Sequence, residues 1–312
     1  MATRGFRHEA AFYHDAADYL AAVLAFVREG VSRAEAVLVA VPGPAAKIIS
    51  EGLDGGAADV AYADMTELGR NPGRVIGAIW DFAGRHAGQP VRFVSDLAWA
   101  GRSAAEISEV AAHEAILDQA LGAAPVTLLC PYDAGQLAAQ VIAGAQRTHP
   151  FQRTALGVRP SPGFARGAAP GALASAELPS PPAGARRLAY TRDLRAVRSF
   201  VRDQAGRAGL SCDRTADLVL AVGEAAANTV RHAGARGTLQ VWQTGTEIIC
   251  QVSDRGQIAD PLVGRRRPPE TGGLGLWVVH QVCDLVQLRT GTGGTVVRMH
   301  MLLDSSPPAA RH

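Results

Sequence analysis

The sequence is poor in aromatic residues: Phe, Trp and Tyr make up 5% of its 312 residues. Its cores must therefore be packed mainly by Ala, Val and Leu. Cysteine is also scarce. Cys130, Cys212, Cys250 and Cys283 are far apart and form no C-x-x-C pair, so their spacing indicates neither a zinc site nor a disulfide framework. No apolar run is long enough to span a bilayer, and no signal-peptide pattern is present, so the expectation is a cytoplasmic protein without membrane contact. Charge is nearly balanced, with 31 basic and 29 acidic residues and a net charge of +2. That balance gives no global case for binding nucleic acid or a membrane surface. The P-loop pattern G-x-x-x-x-G-K-[ST] is missing throughout. What is present is a 47% hydrophobic chain, longer than the usual single domain.

Residues 8–150 alternate between strand-like and helix-like runs. Strand candidates are Glu9–Tyr13, Ala36–Pro42, Val60–Asp64, Val91–Ser95 and Val126–Cys130. Helical periodicity follows them near 15–30, 44–53, 73–86, 104–121 and 136–147. A repeated βα pattern predicts a mainly parallel sheet covered by helices on both faces. Ligands of such folds sit beyond the carboxyl ends of the strands, where Tyr13, His14, Pro42, Asp64, Asp96, Pro131, Tyr132 and Asp133 fall. His8-Glu9 and His113-Glu114 are metal-capable pairs, but spacing places no third ligand beside either. The expectation is histidines that are solvent-facing or satisfied in the core.

Residues 151–185 are rich in Pro, Gly and Ala and predict an extended linker, with Arg153, Arg159 and Arg166 as tryptic sites. His149 stands directly before Pro150, and such a residue is pushed out of helical conformation. A proline-rich segment cannot supply the helical hairpin that would present a phosphorylatable histidine.

Three stretches of the last third carry chemistry. Ser211 is placed to cap a helix running to about His232, with Val219, Val222, Ala226 and Val230 as its core face. Asp217, Ala221, Glu224, Asn228 and Arg231 fall on another stripe, so Glu224 and Asn228 point the same way one turn apart. A carboxylate can act as a general base, and an amide oxygen is a hard ligand suited to Mg²⁺. The bland alternative is a solvated helix face. Next, a hairpin of 239–243 and 247–252 ends at Asp254-Arg-Gly256. Asp254 could accept a hydrogen bond from an exocyclic amine, and Gly256 would let a ring approach the backbone; the alternative is a plain turn. Finally, Gly272, Gly273, Leu274 and Gly275 lead into a helix with apolar Leu276, Val279, Cys283 and Val286. Glycines at a helix N-terminus expose N–H groups to an anion. Leu285–Thr290 and Thr295–Leu303 read as a closing hairpin, and 305–312 as a disordered tail.

In this order, Glu224…Asn228, Asp254-x-Gly256 and Gly272-Gly-Leu-Gly275 resemble the N-box and two glycine boxes of the GHKL ATP-binding fold, and Gly294-Thr295 its further Gly-Thr element. The short interval between Gly256 and Gly272 is similar to that of bacterial anti-sigma-factor serine/threonine kinases. The resemblance covers 186–304 and implies a Bergerat-type α/β sandwich using ATP and Mg²⁺. It implies Glu224 as catalytic base and Asn228 as Mg²⁺ ligand. Asp254, Gly256, Gly272, Gly273, Leu274, Gly275 and Thr295 would surround the nucleotide. It further implies a sigma factor and its antagonist protein as partners, and a homodimer. Some relatives carry an arginine before the glycine run, where Pro269, Glu270 and Thr271 stand here; Arg265-Arg-Arg267 would substitute only by folding inward. Residues 6–150 resemble the MEDS sensory domain through Phe6–Tyr13, Ala36–Pro42, Gly101-Arg102-Ser103, His113-Glu-Ala115 and Cys130-Pro-Tyr-Asp133. That implies a RecA-like α/β domain that senses a small molecule or docks a partner, without RecA's ATPase motifs.

Overall fold

A computed structural model of the chain describes residues 5–53, 59–154, 156–165, 177–234, 236–268 and 273–304. It forms two compact units that divide between Leu173 and Ala174.

The first unit runs β1 (Arg7–Tyr13), α1 (Ala16–Ser32), β2 (Ala36–Val41), α2 (Gly43–Gly52), β3 (Val60–Asp64), α3 (Met65–Leu68) and α4 (Val75–Arg85). It continues with β4 (Val91–Ser95), α5 (Ala104–Leu121), β5 (Val126–Asp133), α6 (Ala139–Thr148), β6 (Phe151–Thr154) and β7 (Gly157–Pro160). The sheet order is β3-β2-β4-β5-β1-β6-β7, parallel except for β7. The interior strand β2 is buried at every residue, as a strand covered on both faces must be. Helix starts follow local chemistry. Asp15 accepts from the Asp18 N–H, and Ser103 with Glu106 closes a reciprocal capping box at α5.

The region expected to be linker is different at its start. Phe151–Thr154 adds to the sheet beside β1, and Gly157–Pro160 folds back on it. Arg153, expected as a tryptic site, is only 6% exposed. Its guanidinium donates to Glu9 Oε2 at 2.7 Å and to Glu29 Oε2 at 2.9 Å. Composition missed this because one charge-assisted network, not apolar pattern, anchors the hairpin. Arg92 joins it through Glu29 and Glu35, and Glu29 is held down at about 2: burial opposes that shift, but Arg92 and Arg153 outweigh it. Arg159 is exposed on β7, and Arg166 and Pro170 lie outside the described residues.

The second unit runs β8 (Arg186–Tyr190), α7 (Leu194–Arg207), α8 (Cys212–His232), β9 (Gly237–Gln243), β10 (Glu247–Asp254), α9 (Gly275–Val282), β11 (Leu285–Gly291) and β12 (Gly294–Leu302). Its sheet is antiparallel throughout, in the order β11-β12-β10-β9-β8. Helix residues Val197, Val201, Leu218, Val222, Ala226 and Val279 share one core with Leu239, Val241, Cys250, Val252 and Met299 of the strands. Pro179, also assigned to the linker from sequence, gives its carbonyl to Arg298 at 2.6 Å.

Three local expectations change. Ser211 occupies the N-cap position of α8, but its side chain makes no cap bond; its backbone N–H instead donates to Asp304 Oδ2 at 2.7 Å. The buried face of α8 is wider than the predicted stripe. Val222 and Ala226 are fully buried, but so is Ala221, while Val219 and Val230 are only half-buried. The helix packs against α7 and α9 as well as the sheet, so a single-stripe pattern underestimates it. Val286, placed on the last helix by periodicity, belongs to β11, because α9 ends at Val282. The expected tail 305–312 lies outside the described residues. No helix among the described residues is long and apolar enough to cross a membrane.

Candidate nucleotide site

The site is built where α8, the end of β10, the start of β12 and the start of α9 meet. Helical spacing puts Glu224 and Asn228 one turn apart on α8, both half-buried. Gly275, the first residue of α9, comes directly against them. A Cβ added at Gly275 would stand 2.8 Å from Glu224 Oε2, 3.4 Å from Asn228 Nδ2 and 3.6 Å from Asn228 Oδ1. The glycine is thus what lets the helix start close on the carboxylate and amide.

Asp254 is the last residue of β10. Its Oδ1 accepts from the Gly256 N–H at 2.8 Å, and its Oδ2 accepts from the Thr229 hydroxyl at 2.6 Å. Thr229 in turn accepts from the Tyr190 hydroxyl at 3.0 Å. Burial pushes the Tyr190 phenol up to about 12, so it remains a donor at neutral pH. Thr229 and Tyr190 were not anticipated from sequence. Position alone hints at Thr229, one residue after Asn228, but the partner in β8 is 39 residues away. Gly256 carries a different constraint from the one expected: a Cβ there would crowd Ala233 Cβ at 2.9 Å and Asp254 Oδ1 at 3.0 Å. Its backbone carbonyl accepts from Thr295 Oγ1 at 2.9 Å, which ties β12 to the loop. Gly294, at φ +113°, passes so close to the Asp254 carbonyl that any Cβ would overlap it.

These residues surround a cavity of about 380 Å³ lined by Asn228, His232, Asp254, Gly256, Gly273 and Thr295, with Ala225, Ile258, Val263, Leu276 and Val297 as apolar walls. Glu224 does not line it. Its Oε2 lies against Gly275, and the residue also borders a separate groove between α7 and α8, together with Arg198, Arg202, Thr215 and Val219. Leu274 is 46% exposed and is not part of the cavity wall. Gly272 lies outside the described residues, as do Pro269, Glu270 and Thr271. Of the three arginines, Arg265 is buried, Arg266 is exposed and Arg267 lies over the Trp277 ring at 5.6 Å. His232, Gln257, Ile258 and Val263 were also missed: His232 lies one turn after Asn228 on α8, where helical spacing could have found it, whereas no spacing rule predicts which loop residues, here Gln257, Ile258 and Val263, fold over a site.

Residues 7–150 match the family model of the MEDS domain, the methanogen/methylotroph DcmR sensory domain. Residues 188–301 match the histidine kinase-like ATPase domain. No curated protein matches the chain. Among solved structures, the RsbU and RsbW domains of a Mycobacterium tuberculosis protein are 22% identical over 43% of this chain and 35% of theirs, with a TM-score of 0.31. The Acinetobacter baumannii histidine kinase AdeS is 18% identical over 38% of this chain and 68% of its own, with a TM-score of 0.27. The chain therefore spans about a third of the length of the mycobacterial structure.

The cavity fits the nucleotide that such a domain binds. Its apolar walls suit a flat base, and each Asp254 oxygen keeps acceptor capacity beyond its internal bond, as a purine amine requires. Asn228 borders the same space, on the side where α9 begins. The chain thus carries a MEDS sensory domain in its N-terminal half and an ATP-binding, histidine kinase-like ATPase domain in its C-terminal half.

Proposed function

We propose that the protein is an ATP- and Mg²⁺-dependent serine/threonine protein kinase of the anti-sigma-factor type, acting on a small antagonist protein and binding a sigma factor. The observation that carries this reading is the placement of Glu224. Its carboxylate lies against Gly275 at the start of α9, and the residue also borders the open groove of α7 and α8. A hydroxyl-bearing side chain entering from that groove would meet a general base before the phosphate side of the cavity. Bound ATP would supply the transferable phosphoryl group. Glu224 would take the proton of the incoming hydroxyl, Asn228 would hold Mg²⁺ through its amide oxygen, and Asp254 would orient the base. Gly273 and Gly275 would keep the phosphate side open, together with Gly272. The N-terminal unit would act as the sensor that regulates transfer, within a homodimer.

A histidine phosphoacceptor in the preceding segment is disfavoured by His149. That residue ends α6 with φ −104° and ψ 116°, as a residue before proline must, and is fully buried. Incubating the purified protein with labelled ATP and candidate antagonist proteins of the same genome tests the reading. Label on a serine or threonine of one antagonist supports the kinase. ATP binding with no transfer to any of them favours a passive signalling module instead, and label on histidine would overturn the serine/threonine assignment.

A further inference from the structure

The N-terminal unit contains a cluster of ligand-type side chains that the nucleotide site does not use. His8 comes from β1, Glu114 from α5, Cys130 from β5 and His149 from the end of α6. None is more than 5% exposed. His8 Nε2 is 3.1 Å from Glu114 Oε2 and 3.4 Å from Cys130 Sγ. His149 Nε2 is 3.4 Å from the same Glu114 oxygen, and Cys130 Sγ is 4.0 Å from it. All four ligand atoms lie within 4.8 Å of one another.

With Glu114 ionised and both rings neutral, the protons available do not satisfy every donor and acceptor in this cluster. His149 Nδ1 is 2.7 Å from the Ala145 carbonyl oxygen, an acceptor, so Nδ1 must carry the proton. The neutral ring then points the bare lone pair of Nε2 at Glu114 Oε2. A proton on His8 Nε2 can satisfy that oxygen, but it leaves the His149 lone pair facing a carboxylate with nothing between them. Neither His149 Nε2 nor His8 Nδ1 has a hydrogen-bond partner. A proton on Glu114 Oε2 or a cation at the centre of the four atoms would each remove the conflict, and the convergence of all four ligand atoms within 4.8 Å favours the cation.

We propose that His8 Nε2, His149 Nε2, Cys130 Sγ and Glu114 Oε2 form a four-coordinate site for a divalent transition-metal ion of the zinc class. Bond lengths of about 2.0–2.3 Å in a tetrahedron give ligand-to-ligand edges of roughly 3.3–3.7 Å; four of the six separations, from 3.1 to 4.0 Å, bracket that range, and the other two, within 4.8 Å, would shorten by up to about 1 Å on binding. Two imidazoles and a thiolate select against Mg²⁺ and Ca²⁺, which take oxygen ligands. The charges balance: a divalent ion with one thiolate and one carboxylate is neutral, as a dry interior demands. Cysteine ligates as thiolate, so uptake of the ion releases the Cys130 proton to solvent. The hydrogen bond from His149 to Ala145 is the outer-shell contact that fixes a ligating ring, and Tyr132 packs edge-on against it at 5.5 Å between ring centroids. Four buried protein ligands make a closed site of the structural kind, joining two strands and two helices. His8 and Cys130 are 122 residues apart, which is why no spacing rule found the set.

The test uses the full-length chain, stripped with chelator and titrated with Co²⁺ in the absence of nucleotide. One cobalt per chain should bind with a thiolate-to-metal charge-transfer band, and Zn²⁺ should displace it one for one. Cys130→Ser should lose the band and bind at least ~10-fold more weakly. A folded wild type with no thiolate band, or a band that survives in Cys130→Ser, overturns the site. If Cys130→Ser does not fold, Glu114→Gln decides: it should keep the band and lose at least ~10-fold in affinity, and unchanged affinity overturns the site.

Discussion

Gly275 and Glu224 meet so closely that a Cβ on the glycine would lie 2.8 Å from the carboxylate Oε2. The contact joins the start of α9 to the middle of α8 and sets where the carboxylate stands. Gly275 does not have a positive φ, so alanine fits its backbone, and alanine is the better helix former by about 1 kcal/mol. Gly275→Ala should therefore leave stability within about 1 kcal/mol of wild type while displacing Glu224. Displacement of a catalytic group by about 1 Å can cost roughly 10²-fold, so transfer should fall at least ~10-fold. Melting temperature and phosphotransfer measured on one preparation check both halves; wild-type transfer would detach this contact from the chemistry.

Glu224 and Asn228 should separate by kinetics. Glutamine at Glu224 keeps size and removes the base, so Glu224→Gln should bind Mg²⁺-ATP within a few-fold of wild type and lose transfer by roughly 10²-fold or more. Asn228→Ala removes the proposed metal ligand and should lose both binding and transfer, with little rescue by added Mg²⁺. If both residues only decorate a helix face, each substitution should shift stability by about half a kcal/mol and nothing else. Nucleotide affinity and single-turnover transfer distinguish the outcomes.

Asp96 should make the stability of the N-terminal unit fall with rising pH. Burial pushes its carboxyl up from 3.8 to about 7; the hydrogen bond from Tyr19, at 3.1 Å, and the charge of Arg102 oppose the rise, and Asp133 adds to it. Between those two values the folded chain holds a proton that the unfolded chain has released, so each step up in pH favours unfolding. The window is pH 4 to 7, and at about 1.4 kcal/mol per unit the loss is at most ~4 kcal/mol. Asp96→Asn does not titrate. The melting temperature of wild type minus that of Asp96→Asn should decline from pH 4 to 7.5; a flat difference would show that Asp96 is not raised.

Trypsin should spare Arg153 in the native protein, because its guanidinium is buried between Glu9 and Glu29. Arg166, in the Gly- and Ala-rich stretch that follows, should be cut before it. Mass spectrometry of the first fragments decides the order. Arg153→Ala leaves Glu9 and Glu29 without this buried partner, so the melting temperature of the N-terminal unit should fall relative to wild type.

Short-range pattern accounts for most of the elements. The βα alternation of the first half, the hairpins of the second and the one-turn offset of Glu224 and Asn228 are all periodicities of two to four residues, which the chain expresses wherever it folds. The glycines before α9 and the Asp254 turn were legible for the same reason: they are backbone requirements carried by single residues. Tertiary structure alone decided what is far apart in sequence. Sheet packing set Thr229 and Tyr190 behind Asp254, and the Glu9–Arg153 ion pair drew 151–160 out of the expected linker into the sheet. Two parallel strand pairings, β5 with β1 and β1 with β6, put Cys130 beside His8 and brought the chain carrying His149 back to both. Such encounters depend on strand order and on which buried charges find partners, and neither quantity is written in the spacing of neighbouring residues.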